Sequence, residues 1–218
     1  MPGGTLAAMR TLLDLVLPAE CGACRRPGTP WCGECARSVA GPPTRIHPLR
    51  DPGVPCWALS RYRGPARQAV LAVKERGRRD LAGPLGVALA AGLAELRAPG
   101  RPLILVPSPS RRASARRRGG DPVLRCARSA ARSLDGCQVL PCLRVWWGVR
   151  DSAGLSARDR DRNLRGRVRA VPLPADAAKA QVVLVDDVLT TGATAQACAR
   201  ALAAAGTYLD DILVTCAA

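Results

Sequence analysis

Two groups of residues in this 218-residue chain have types and spacing that could do chemistry. The first lies in residues 182–194, VVLVDDVLTTGAT. Val182, Val183, Leu184 and Val185 form an apolar, β-branched-rich run, which predicts a strand buried on both faces of a parallel sheet. Asp186 and Asp187 follow at its carboxyl end, where ligands bind in open α/β sheets and where carboxylates escape the apolar layers. Thr190, Thr191, Gly192, Ala193 and Thr194 then make a small, hydroxyl-bearing turn into an alanine-rich helix over 195–205. Free N–H groups at a helix start carry about half a positive charge, and Gly192 lets the backbone approach a ligand, so the turn suits a phosphate. An ordinary strand, turn and N-capped helix would account for the threonines but not for two adjacent acids before them.

The second group is Cys21, Cys24, Cys32 and Cys35, two C-x-x-C pairs separated by seven residues. Each pair has knuckle spacing, and together they supply the tetrahedral S₄ set that Zn²⁺ prefers. Four protein ligands leave no open coordination position, so the expected zinc is structural. Paired disulfides are the alternative, disfavoured in a reducing compartment. The expectation is a zinc-ribbon-like cap with Trp31 covering the metal and little helix between the knuckles.

These groups must be positioned by a larger scaffold. Strands are expected over 56–62, 103–106 and 212–215, an extended segment over 140–147, and helices over 67–76, 81–96 and 123–134, which predicts an α/β domain. The strand over 103–106 runs into Pro107, Ser108, Pro109 and Ser110, and then into a basic segment holding Arg111, Arg112, Arg116, Arg117 and Arg118. Beside a strand's carboxyl end this segment suits pyrophosphate; a solvated or nucleic-acid-facing patch is the competing reading. Lys74 falls within the helix expected over 67–76 and is one of only two lysines. The division expected is 1–45 for an N-terminal helix and cysteine module, 46–55 for a proline-rich linker, and 56–218 for the main domain.

The chain carries 33 basic against 17 acidic residues, a net charge of +16, so anionic partners are expected. With no phenylalanine and few other aromatics, a base-stacking platform is not expected, with arginine planes as partial substitutes. No apolar run reaches the roughly 18 residues that span a bilayer. The short apolar stretch near the N-terminus is broken by Asp14, so no secretion signal is read and the protein is expected in the cytoplasm. Cys56, Cys126, Cys137, Cys142, Cys198 and Cys216 have no ligand spacing and read as small buried hydrophobes.

The acid pair with its TTGAT turn resembles the signature of the phosphoribosyltransferases, which bind phosphoribosyl pyrophosphate (PRPP) with Mg²⁺. The order of parts resembles the ComF family over nearly the whole chain: a four-cysteine knuckle, a strand ending in VPSP, a basic RRRGG segment, LSARDRDRNLRG and VLVDDVLTTGAT. The resemblance implies a type I phosphoribosyltransferase-like sheet. It implies Asp186 and Asp187 on the ribose hydroxyls, with Val188, Leu189 and Thr190, Thr191, Gly192, Ala193 and Thr194 around the 5′-phosphate. Lys74, Ser108, Arg116, Arg117, Arg158 and Arg160 would serve pyrophosphate or the mobile loop over it. Members are linked to natural competence and DNA uptake. The implied function is transfer or hydrolysis of a phosphoribosyl group; the alternative is a non-catalytic PRPP- or nucleotide-sensing adaptor for single-stranded DNA or an uptake helicase. Where that family usually has Phe-Asn-Gln, this chain has Gly120, Asp121 and Pro122, and Ser152 replaces a usual glutamine.

Overall fold

The computed structural model describes residues 19–110, 115–116, 119–145 and 168–218. In chain order its elements are α1 (Gly33–Val39), β1 (Thr44–Ile46), β2 (Cys56–Arg61), α2 (Gly64–Lys74), a 3₁₀ turn (Arg79–Leu81) and α3 (Ala82–Leu96). They continue with β3 (Leu103–Pro107), α4 (Pro122–Ala131), β4 (Cys137–Val139), β5 (Leu143–Val145) and β6 (Val168–Ala170). After a second 3₁₀ turn (Ala175–Lys179) come β7 (Gln181–Leu189), α5 (Ala193–Ala204) and β8 (Asp211–Ala217).

Six strands form one sheet in the order β1-β2-β8-β7-β3-β4. Every neighbouring pair is parallel except β1 with β2, so this is a mixed α/β fold with a mostly parallel sheet. The final strand does not sit at an edge but enters the middle, between β2 and β7. That placement explains why β7 runs further than its apolar run predicts. Asp186 pairs with Val214, Val188 with Cys216 and Leu189 with Ala217, so the ladder continues past the acids to Leu189.

Alternation along β7 divides the core. Val183 and Val185 face a layer containing residues of α2, α3 and α4, whereas Val182 and Leu184 face α5 and the small β5–β6 sheet. Helix α2 starts three residues earlier than its apolar spacing suggests, at Gly64, because Pro65 occupies the first turn where its missing N–H costs nothing. Strands β4 and β6 are too short to show a period of two, and no sequence signal marks them.

The cysteine module belongs to the same core. Cys21, Ala23, Cys32, Cys35 and Val39 cluster with residues of α2 and α3. Gly22 lies so close to Leu81 that an added Cβ would meet its Cδ1 at 2.4 Å. Instead of a ribbon, the described residues show a single bridge, Glu20 to Pro27, and a helix, α1, that begins inside the second knuckle. The proline-rich stretch read as a linker also has a structural role: β1 extends the sheet, and residues 48–51 pack on the turn after β7. Among the described residues no helix is long and apolar enough to cross a membrane.

Candidate ligand site and metal centre

Strand β7 delivers Asp186 and Asp187 to the carboxyl edge of the parallel sheet on opposite faces of the strand. The Lys74 ammonium, at the last residue of α2, lies 2.7 Å from a carboxylate oxygen of Asp187. Burial acts to lower the Lys74 pKa, but the Asp187 and Asp186 carboxylates outweigh it and hold it above an ordinary lysine's. Lys74 therefore stays charged as the counter-ion of the pair.

Asp186 is the more deeply set. Burial first, and the neighbouring Asp187 charge second, push its carboxyl up to about 7, against the opposing pull of Lys74 and the Ser108 hydroxyl. The apolar side chains beneath the acids, Val70, Val73, Leu85, Leu89 and Val123, leave an internal space of only about 20 Å³, room for no more than a water. Any larger ligand must reach the acids from the open edge. One Asp186 oxygen accepts the backbone N–H of Asp187 at 2.8 Å, which fixes the carboxylate's orientation.

Ser108, expected at the pyrophosphate or its loop, is buried beside Asp186, and its N–H donates to the Val185 carbonyl at 2.9 Å. It ties the loop after β3 to the acid pair. Asp121 holds the other end of that loop: its carboxylate accepts the N–H of Ser110 and caps α4 through Leu124 N–H, each at 3.2 Å. The departure Gly120-Asp121-Pro122 thus supplies a helix cap, Asp121 at the N-cap with Pro122 opening the helix.

The turn after β7 leads directly into α5. Gly192 has φ +83° and serves as the N-cap of α5, with no side chain capping the helix start and no acid in its first turn. The first N–H groups of α5 therefore have no capping side chain, although Gly192 and Ala193 themselves are buried. A Cβ at Gly192 would meet the Arg50 carbonyl oxygen at 2.4 Å, so glycine is demanded both by the backbone angle and by the close approach of residues 48–50. The Arg50 N–H donates to Thr191 O at 2.8 Å, and Gln196 Nε2 to Asp51 O at 2.9 Å, bracing the turn from outside. Beside it opens a space of about 560 Å³ lined by Ile46, His47, Pro48, Leu189, Thr190 and Thr191.

The fold thus brings together Asp186, Asp187, Val188, Leu189 and Thr190 through Thr194, with Lys74 and Ser108 against the acids. Arg116 is exposed on a helical turn. Arg117, Arg158 and Arg160 lie outside the described residues, as does the N-terminal helix expected over residues 6–17.

The four module cysteines form a metal-competent cluster, with all four sulfurs within 4.8 Å of one another. Cys21 Sγ lies 3.7 Å and Cys24 Sγ 3.6 Å from Cys32 Sγ. Four sulfurs around Zn²⁺ at about 2.3 Å make a tetrahedron with edges of about 3.8 Å. The spacing fits that set and is far from the roughly 2.05 Å of a disulfide. Burial resists ionisation of Cys21, but the N–H groups of Cys32, Ala23 and Cys24 more than offset it and bring its thiol down to about 6. Burial and the neighbouring sulfurs push Cys35 up. Such a set needs a cation to ionise together, and it can hold a metal ion such as zinc. The remaining thiols behave differently: burial lifts Cys126 to about 12 and Cys56, Cys137 and Cys216 to about 11, leaving them inert.

No protein-family model matches this chain, nor does any curated protein sequence.

Proposed function

We propose that the protein binds PRPP on the acid pair and the turn that follows it, in the manner of the ComF-type phosphoribosyltransferases whose sequence pattern it resembles. One observation carries the reading: a single strand, turn and helix presents two carboxylates and, a few residues on, an uncapped helix start at φ +83°. Sugar hydroxyls need acceptors, and a 5′-phosphate needs donors; this unit offers both at the edge of a parallel sheet. The 560 Å³ space reaches Thr190 and Thr191 but is lined by neither acid, so in this reading it takes only the phosphate end of the ligand.

In this reading Asp186 and Asp187 orient the ribose and face the positive charge that develops at C1 as pyrophosphate leaves. Lys74 keeps the pair from repelling itself before the ligand arrives. The turn N–H groups hold the 5′-phosphate. The carboxylates suit a hard cation shared with the ligand's phosphates, and Mg²⁺ bound there would neutralise charge on the departing group. Ribose 5-phosphate and 2-deoxyribose 5-phosphate separate the two halves of the site. If the acids grip the hydroxyls, the deoxy sugar binds about tenfold more weakly; equal affinities would remove the acid pair from the account.

The adaptor reading draws on the exposed Arg116 within the basic segment. It predicts single-stranded DNA binding that weakens steeply with salt and is lost in Arg116→Glu/Arg117→Glu, with PRPP affinity retained. DNA binding that survives the double charge reversal would overturn it.

A further inference from the structure

The guanidinium of Arg78 joins the two functional groups of the molecule. Its Nη1 donates to Glu20 O at 2.9 Å and its Nη2 to Pro30 O at 3.1 Å. Glu20 precedes the first knuckle and Pro30 the second, so Arg78 holds both carbonyls only when the two knuckles stand together. Asp80 aims the group through paired contacts, from Nε at 2.9 Å and from Nη2 at 2.7 Å. At its other end Arg78 is tied to α2, where its own N–H donates to Ala72 O at 3.1 Å. Ala72 is in the last turn of the helix, two residues before Lys74. Arg76 runs alongside, from Gln68 O within α2 at 2.9 Å to Gly22 O between the first pair of cysteines at 3.2 Å. Hydrogen bonds from the cysteine module to Arg78 and from Arg78 to Ala72, and then the last turn of α2, therefore connect the cluster to the residue whose ammonium neutralises Asp187.

We propose that Arg78 is a positioning residue that couples metal occupancy of the four cysteines to the Lys74–Asp187 ion pair. With metal bound, the knuckles are gathered, the carbonyls of Glu20 and Pro30 face one guanidinium, and the end of α2 is fixed with Lys74 over Asp187. Loss of the metal, or oxidation of the thiols, lets the knuckles part, releases Arg78 and frees the helix end. The metal state of the module thereby sets whether the Lys74 ammonium sits over Asp187. Coupling between two sites is reciprocal, so breaking the ion pair must weaken the metal by the same factor that metal loss weakens the pair.

The test is zinc affinity, measured by competition with a chromophoric chelator at fixed pH on the full chain. Asp187→Asn, which touches no cysteine, is expected to lower zinc affinity at least about fivefold in the wild-type background. In an Arg78→Ala background the same Asp187→Asn change is expected to leave zinc affinity unaltered. A purely structural role for Arg78 would lower affinity in Arg78→Ala but would not make it respond to Asp187. If Arg78→Ala fails to fold, Asp80→Asn, which loosens the guanidinium without removing it, takes its place and is expected to reduce the effect of Asp187→Asn. Equal zinc affinity in wild type and Asp187→Asn overturns the proposal. So does an unchanged effect of Asp187→Asn in the Arg78 or Asp80 variant. The proposal rests on the thiols holding a metal; a protein that takes up no zinc refutes that reading by metal analysis, separately from any failure of coupling.

Discussion

Lys74 Nζ stands 2.7 Å from Asp187 at the point where the end of α2 crosses the edge of the sheet. The pair is half-buried, with the lysine side chain 36% exposed and the aspartate 19%. Its worth lies between a solvated pair and a buried one. Lys74→Ala is expected to cost about 1–2 kcal/mol, because it leaves two adjacent carboxylates without a cation. Part of that loss should return in Lys74→Ala/Asp187→Asn. Urea unfolding of the four proteins measures it, and an undiminished Lys74→Ala would show that the pair holds nothing in place.

Asp186 makes stability depend on pH. Its carboxyl titrates at about 7 in the folded protein, above its value in an unfolded chain, so the folded state holds the proton more tightly. The resulting stabilisation is full below about pH 4, the ordinary aspartate range. It is lost as pH rises through 7. Carboxylates such as Asp80, drawn down by the Arg78 guanidinium, act in the opposite sense and only at lower pH. Comparison with Asp186→Asn isolates the effect: between pH 5 and 8 wild type should lose melting temperature relative to the variant. Parallel curves would mean that Asp186 is ionised throughout.

Gly192 is expected to tolerate no side chain. Alanine there meets both an unfavourable φ of +83° and the Arg50 carbonyl at 2.4 Å, so Gly192→Ala should destabilise by at least about 1–2 kcal/mol and displace residues 48–50 from the turn. Gly206 has a similar φ of +78° with nothing near its Cβ position, and Gly206→Ala should cost less. Equal costs at the two positions would show that the close approach of residues 48–50 contributes nothing.

The cysteine cluster should carry one zinc per chain, removed by strong chelators and lost in Cys21→Ser. Because Gly22 sits on Leu81, which is fully buried, loss of the metal should lower the melting temperature of the whole protein and not of a detached module. Metal analysis with calorimetry checks both. An unchanged main transition after chelation would contradict the shared core.

Much of the site is legible in the amino-acid sequence, because its signals are local. The four-residue apolar run before Asp186 marks the strand, and the acids and the glycine mark a ligand edge. Two C-x-x-C pairs mark the sulfur cluster. What the sequence hides is set by tertiary pairing. β7 outruns its apolar run because β8 lies beside it, and β4 and β6 are three residues each. Residues 48–51 give only a proline-rich signal, yet they brace the turn after β7. Lys74 stands out by its rarity alone, and Arg78 does not stand out among so many arginines. Their roles come from helices that cross the sheet edge and touch the module, and no spacing rule encodes such contacts.

The central claim is that Asp186, Asp187 and the turn hold one phosphorylated sugar. Calorimetric titration of PRPP into the zinc-loaded protein, with and without Mg²⁺, tests it most directly beside Asp186→Asn/Asp187→Asn. The expected result is saturable binding that requires Mg²⁺ and disappears in the double variant. Absence of binding at millimolar PRPP, or equal binding by the double variant, would contradict it.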